Sequence, residues 1–232
     1  MHFRSRAHPV SNIPPTDPAV TNALLDLVRV ARLTNAPWSL IGGEALLAYG
    51  VPKNTEDVDA LVEQEDLLKF AETLVETFSY VPLIYDTERE EYVPAERVTV
   101  HTMDDPVLFA VHVERELVPL RSPLGLDVEL LAAQHPVEQE MIDQSMPLRH
   151  YGVSVPVAPL GGVLLVKTIA DRPKDVAAIE QTAESLPKEQ IDGALAWATE
   201  QDPAGADDLR ALVSAARTRR APKRTKPYIR NR

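Results

Sequence analysis

Cysteine is missing from all 232 residues, which excludes disulfide cross-links and thiolate metal sites together. No stretch approaches the roughly 18 uninterrupted apolar residues that a membrane-spanning helix needs. The first residues, "MHFRSRAHPVSNIPPTDP", are basic but have no apolar run behind them, so no secretory signal is expected and the chain reads as cytoplasmic with no membrane partner. Gly-rich nucleotide loops of the GxGxxG and Walker A kinds are absent, as is a GxSxG nucleophile turn. The six histidines, His2, His8, His101, His112, His135 and His150, show neither HExxH nor i,i+4 pairing, so a zinc hydrolase has no support. His101 and His112 fall in strand-like runs and read as ordinary hydrogen-bonded residues.

Hydrophobic residues make up 44% of the chain, an ordinary share for a folded protein with a real core. The formal net charge of −11 conceals an asymmetry. The last sixteen residues, "RTRRAPKRTKPYIRNR", hold eight Lys or Arg and no acid, so residues 1–216 carry −19. An acidic body repels a nucleic-acid backbone over most of its surface, whereas the tail can attract one. Like-charged runs are usually solvated, so a disordered tail over 217–232 is the first expectation and RNA contact the second.

Residues 1–15 are polar and proline-rich. "TDPAVTNALLDLVRVARLTN" then predicts a helix, with Thr16 or Asp17 as cap and Pro18 in the first turn. "WSLI" reads as a strand, Gly42-Gly43 as a turn, "EALLAYG" as a short helix and "VDALV" as a second strand. In "EDLLKFAETLVETF", Leu67, Leu68, Ala71, Leu74, Val75 and Phe78 share a helical face. "SYVPLIYD", "ERVTVHTM", "PVLFAVHVER" and "GLDVELLA" read as strands, and from "LGGVLLVKTIADRPKDVAAIEQTAESL" onward the period is helical. The expected organisation is an α/β (α+β) core over 16–150, a helical part over 151–216 and the basic tail.

Aspartate is disfavoured in strands, yet Asp57 and Asp59 sit one residue apart in "EDVDALV". Side chains at i and i+2 of a strand share a face, so the two carboxylates stand side by side while Val58 points the other way. Their repulsion would drive one to keep its proton unless a hard divalent cation such as Mg²⁺ is shared between them. Asp127 and Glu129 in "GLDVELL" repeat the spacing, and either could supply a third carboxylate, completing a metal site or taking a proton from an attacking hydroxyl. Glu129 is favoured because "VELL" runs on as a core strand should; Asp127 stays open. Gly42-Gly43 before a helix allows close approach of a phosphate, though such a pair is more often simply a turn. Lys167, a lone cation in "GGVLLVKTIA", must snorkel outward or meet an anion.

In that order, "IGGEALLAYGVPKNTEDVDALV" resembles the active-site signature of the DNA polymerase β-like nucleotidyltransferase superfamily. Within it, "GVPKNTEDVD", "LDVELL" and "VPVAPLGGVLLVKTIADRPKDVAAI" look like the bacterial abortive-infection subgroup, which includes toxins of toxin–antitoxin pairs. The resemblance covers residues 20–182. It implies a mixed β-sheet flanked by helices and transfer of a nucleoside monophosphate from an NTP to an acceptor. By the same resemblance Asp57, Asp59 and Glu129 hold two Mg²⁺ ions, Gly42 and Gly43 cradle the triphosphate, Lys53 and Thr55 join the nucleotide site, and Lys167 neutralises charge. The acceptor it suggests is RNA such as tRNA, and the partner a cognate antitoxin. Gly43 stands where many relatives have serine, Lys53 where the subgroup commonly has arginine, and Glu129 where the third acid is usually aspartate. Glutamate moves a carboxylate by over 1 Å, and a misplacement of about 1 Å can cost about 10²-fold in rate. The alternatives are therefore a catalytically degenerate nucleotide- or protein-binding member and an antibiotic nucleotidyltransferase with a small-molecule acceptor.

Overall fold

The computed structural model describes residues 17–86, 91–95 and 117–220. The strands expected over 96–103 and 106–115, the N-terminal 1–15 and most of the basic tail lie outside the described residues. The chain order is α1 (Pro18–Thr34), β1 (Trp38–Leu40), α2 (Gly42–Ala48), β2 (Asp57–Glu63), α3 (Leu67–Phe78), β3 (Val81–Asp86), β4 (Glu91–Pro94), β5 (Leu117–Arg121) and β6 (Asp127–Ala133). There follow α4 (Pro136–Asp143), β7 (Met146–His150), β8 (Val153–Val157), α5 (Leu160–Ala170), α6 (Pro173–Ser185), α7 (Lys188–Gln201) and α8 (Pro203–Arg220).

One mixed sheet of eight strands runs in the order β4-β3-β5-β6-β2-β1-β8-β7. The pairs β2/β6 and β1/β8 are parallel and the others antiparallel. The expected mixed α/β architecture is present. Local chemistry accounts for the elements that position the site. The Asp17 carboxylate accepts from the Ala19 N–H at 2.8 Å, Pro18 opens α1, and Asn35 closes it in the left-handed region at φ 58°, as caps at both ends require. Along α1, Val20, Ala23, Leu24, Leu27 and Val30 are buried at helical spacing. In α3 the buried residues are Leu67, Phe70, Ala71 and Leu74, with Leu68, Val75 and Phe78 only half-buried. The buried stripe is thus centred one step away from the expected face and takes in Phe70.

At the heart of the sheet, Val58, Ala60 and Val62 of β2 and Val128 and Leu130 of β6 are fully buried. Their alternation leaves Asp57, Asp59 and Glu129 on the opposite face. Residue 150 falls inside the β7–β8 hairpin, and Leu40 of β1 pairs in parallel with Val157 of β8. A strand therefore lies within the stretch expected to be helical. Val153, Val155 and Val157 are buried while Ser154 is exposed, a period of two within which Pro156 takes one of the outward positions and lowers the strand propensity. Residues 217–220, expected to belong to the disordered tail, continue α8. Among the described residues no helix is long and apolar enough to cross a membrane.

Candidate active site

Parallel pairing of β2 with β6 sets Asp57 opposite Asp127 and Asp59 opposite Glu129. Neighbouring strands lie about 4.8 Å apart, so four carboxyl groups share one patch of the sheet face. They are not equivalent. Arg121 of β5, itself opposite Asp127, donates from Nε to Asp127 Oδ1 at 2.7 Å and from its terminal nitrogen to Oδ2 at 3.1 Å. This bidentate clamp occupies both oxygens of Asp127. Burial, and then the charges of Asp57 and Glu129, push the Asp59 carboxyl up to about 7. Burial and Asp57 likewise raise Glu129. The patch that faces inward is thus a trio, Asp57, Asp59 and Glu129.

The glycine pair is fitted to that trio. Gly42 has φ +68°, and a Cβ on it would fall 1.7 Å from Asp59 Oδ2. Only glycine both adopts this backbone and leaves room for the carboxylate. A Cβ on Gly43 would meet Thr55 Oγ1 at 2.7 Å, so a serine there needs Thr55 to move. Thr55 Oγ1 lies 2.9 Å from the Asp57 carbonyl oxygen and 3.0 Å from Asp57 Oδ1, and its one proton serves either. Thr55 therefore braces Asp57. The Ile41 N–H donates to the Asp59 carbonyl at 3.0 Å, and Glu44, 1% exposed, is hydrogen-bonded to the buried His150 ring. Together these contacts tie α2 to β2 on one side and to β7 on the other. The first N–H groups of α2 have no acceptor within the helix.

Cations face the acids from the C-terminal helices. Lys167 is buried, and its ammonium lies 3.0 Å from Asp175 Oδ1, while Arg172 Nε lies 2.5 Å from Asp175 Oδ2. Of the two fates open to Lys167, meeting an anion is the one realised, and the anion is the protein's own. Burial opposes ionisation of Asp175, but the hydrogen bonds from Arg172 and Lys167 hold its carboxyl below the ordinary value. Lys53, on the loop before β2, is pushed below its usual value by burial and then by the charge of Lys167, against the pull of Asp175 and Asp57. Lys174 and Lys167 act on Asp59, and Lys174 and Arg172 on Glu129. The sequence reading missed Arg172, Lys174 and Asp175. The signal was "DRPKD", a charged turn just past Lys167 with Pro173 opening the next helix.

The donors suit a hard cation. They are carboxylate oxygens throughout, with mutual repulsion that a divalent charge relieves. Among the described residues no group of three or more Asp, Glu or His side chains is arranged to hold a metal by itself. Mg²⁺ does not need one, since it commonly takes one or two carboxylates and completes its shell with water and substrate phosphates. Asp57 and Asp59, one residue apart on β2, are two carboxylates on one face of that strand. Two cavities of about 490 and 570 Å³ lie elsewhere and are lined by none of these carboxylates.

No protein-family model matches the chain, and no curated protein matches it by sequence. Solved structures similar to it include the antibiotic-resistance factor ANT(2'')-Ia, at 15% identity over 87% of this chain and 94% of that one, with a TM-score of 0.45. An antigenic nucleotidyltransferase-like protein from Paracoccidioides brasiliensis is similar at 16% identity over 84% and 94%, with a TM-score of 0.46. The lincosamide antibiotic adenylyltransferase LnuA, lincomycin-bound, is similar at 11% identity over 71% and 97%, with a TM-score of 0.42. Likeness at this level assigns neither activity nor substrate to the chain.

Proposed function

We propose that the chain transfers a nucleoside monophosphate from an NTP to an acceptor hydroxyl. The observation that carries the reading is the trio Asp57, Asp59 and Glu129, set in register on two parallel strands and faced by Lys53, Lys167, Arg172 and Lys174. Acids alone would repel a triphosphate. Cations alone would bind it without activating an attacking group. The juxtaposition serves both needs.

In this reading the acceptor oxygen forms a bond to the α-phosphorus, the bond to the β-phosphate oxygen breaks, and pyrophosphate leaves. Asp57 and Asp59, with Glu129 beside them, would hold Mg²⁺ jointly with phosphate oxygens, and the metal would supply charge neutralisation at the α-phosphate. Glu129 accepts the proton of the acceptor hydroxyl, a role suited to a carboxyl raised by burial and by Asp57. Lys167 and Arg172, aligned by Asp175, hold the triphosphate, with Lys53 and Lys174 beside them. Gly42 and Gly43 bring backbone N–H groups close to it, and Thr55 fixes Asp57. RNA is the acceptor we favour, because residues 217–232 hold eight Lys or Arg and no acid of their own, and Glu180 pairs with Arg219 among them. The resemblance to abortive-infection enzymes extends the proposal to growth arrest relieved by a cognate antitoxin.

The test is Mg²⁺-dependent incorporation of label from each α-³²P NTP into total RNA, protein or small molecules, with Asp59→Asn as the control. Incorporation into RNA by the wild type alone supports the reading. No incorporation from any NTP makes the chain a degenerate nucleotide-binding member, and label in an aminoglycoside in place of RNA makes it a small-molecule enzyme. Expression of wild type, but not Asp59→Asn, should arrest growth; equal arrest by both removes the toxin extension.

A further inference from the structure

Strands β5, β6 and β2 lie side by side at the acids, and their registers align two rows of side chains. One row is Arg121, Asp127 and Asp57, and the next is Pro119, Glu129 and Asp59. Side chains at i and i+2 of a strand share a face, so both rows stand on the same side of the sheet. They differ at β5. Glu129 has a proline for its neighbour there, whereas Asp127 has Arg121, whose guanidinium takes both of its oxygens at 2.7 and 3.1 Å. The two side chains are 37% and 36% exposed, where an ion pair adds little to the stability of a fold. What the pair does change is the number of carboxylates left for a cation. Adjacent strands are about 4.8 Å apart, so an unclamped Asp127 stands within reach of a cation held by Asp57, and its charge already acts on Glu129.

We propose that Arg121 is a specificity-determining residue for the metal: by holding Asp127 it limits the patch to Asp57, Asp59 and Glu129 and so favours Mg²⁺ over Ca²⁺. The inference rests on the Mg²⁺ site of the nucleotidyl-transfer reading and names what sets its selectivity. Ca²⁺ takes about six to eight oxygens in a flexible shell, whereas Mg²⁺ demands a near-ideal octahedron and keeps several of its waters. Ligand number therefore separates the two ions. A further carboxylate, able to give both its oxygens, serves Ca²⁺ and is surplus to Mg²⁺. If Arg121 acted through its charge alone, removing it would tighten both ions equally. A change in their ratio is the mark of a ligand gained.

The experiment uses the full chain without NTP. Mn²⁺ is added, its bound fraction is read from the loss of the free-ion electron paramagnetic resonance signal, and Mg²⁺ or Ca²⁺ is titrated in to displace it. The ratio of the two displacement constants is compared for wild type, Arg121→Leu, Arg121→Lys, Asp127→Asn and the double variant Arg121→Leu with Asp127→Asn. Arg121→Leu should raise the affinity for Ca²⁺ relative to Mg²⁺ by about tenfold or more, and the double variant should return the ratio to that of wild type. Asp127→Asn alone should leave the ratio unchanged. Arg121→Lys keeps the charge but not the bidentate fork, so it should raise the ratio by less, and it carries the test if the leucine variant does not fold. A wild-type ratio in every folded Arg121 variant overturns the inference, even where both ions bind more tightly. A ratio that stays high in the double variant overturns it as well, and so does one that falls in Asp127→Asn, which would make Asp127 a ligand already. Wild type that binds no Mn²⁺ also overturns it, without bearing on transfer, since metal can arrive with the NTP. Absence of label transfer with the ratios as expected sinks the enzymatic reading and leaves the metal site.

Discussion

Asp59 is the residue on which burial and like charge converge, with its carboxyl raised to about 7. An unfolded aspartate titrates near 3.9. Between about pH 4 and about pH 7 the folded chain therefore holds a proton that the unfolded chain has released, and metal-free stability falls as pH rises through that window. Asp59→Asn removes this dependence. In EDTA its melting temperature should match wild type near pH 4 and exceed it at pH 8, by about 2–4 °C for each kcal/mol of repulsion relieved. Melting below wild type at pH 8 would contradict the burial and charge argument. Transfer activity should vanish in the same variant. For the third acid, Glu129→Gln should cost about 10²-fold or more in kcat, and Asp127→Asn less, because Arg121 already holds Asp127 through both oxygens. The reverse order would move the role to Asp127. At this scale the paired acids and the Gly-Gly turn were legible in the sequence, since their spacing and order are local properties. The reason for Gly42 was not, because the group that excludes a Cβ is Asp59, seventeen residues on.

The elements carrying the site are held by pairs that no local pattern announces. Glu44 and His150 meet in the interior from α2 and β7, 106 residues apart, and Lys167 meets Asp175 across the turn between α5 and α6. Strand and helix periods could be read wherever one face is apolar, as in β2, β6 and α1. They could not be read in β7 and β8, where Pro147 and Pro156 fall within the strands and argue against a strand, nor could the clustering of Arg172 and Lys174 around the acids, which depends on how α6 docks. These pairs predict separable losses. His150→Ala leaves the Glu44 carboxyl buried without its partner and should lower urea stability by about 1–3 kcal/mol, with the m-value unchanged. An equal midpoint for variant and wild type would mean the pair contributes nothing. Asp175→Asn removes the charge that aligns Lys167 and Arg172. It should raise the NTP KM more than it lowers kcat, and an effect confined to kcat would place Asp175 in the chemistry instead.

At the scale of the whole molecule, the change from strand to helix periodicity suggests a core ending near residue 150 and a helical part after it, but the sheet crosses that line. The neighbours of β1 are β2 on one side and β8 on the other, so cutting at 150 strips β1 of a partner and exposes Leu40, which is fully buried. Helix α5 begins directly after β8, and Tyr49 at the end of α2 donates to the Ala158 carbonyl at 2.8 Å, which ties the two stretches together again. Small domains that share one core unfold as a unit. The two tryptophans report on the two stretches, with Trp38 on β1 and Trp197 on α7. Single-tryptophan variants made by Trp197→Phe and Trp38→Phe should therefore show fluorescence transitions at urea midpoints that coincide once each variant's own circular-dichroism midpoint is taken as reference. Residues 17–150 expressed alone should lack cooperative unfolding. A Trp197 transition clearly preceding the loss of sheet signal, together with a folded 17–150 fragment, would mean that the C-terminal helices are a separate domain, and that the Lys167–Asp175–Arg172 cluster reaches the acids by docking instead of being built into one fold.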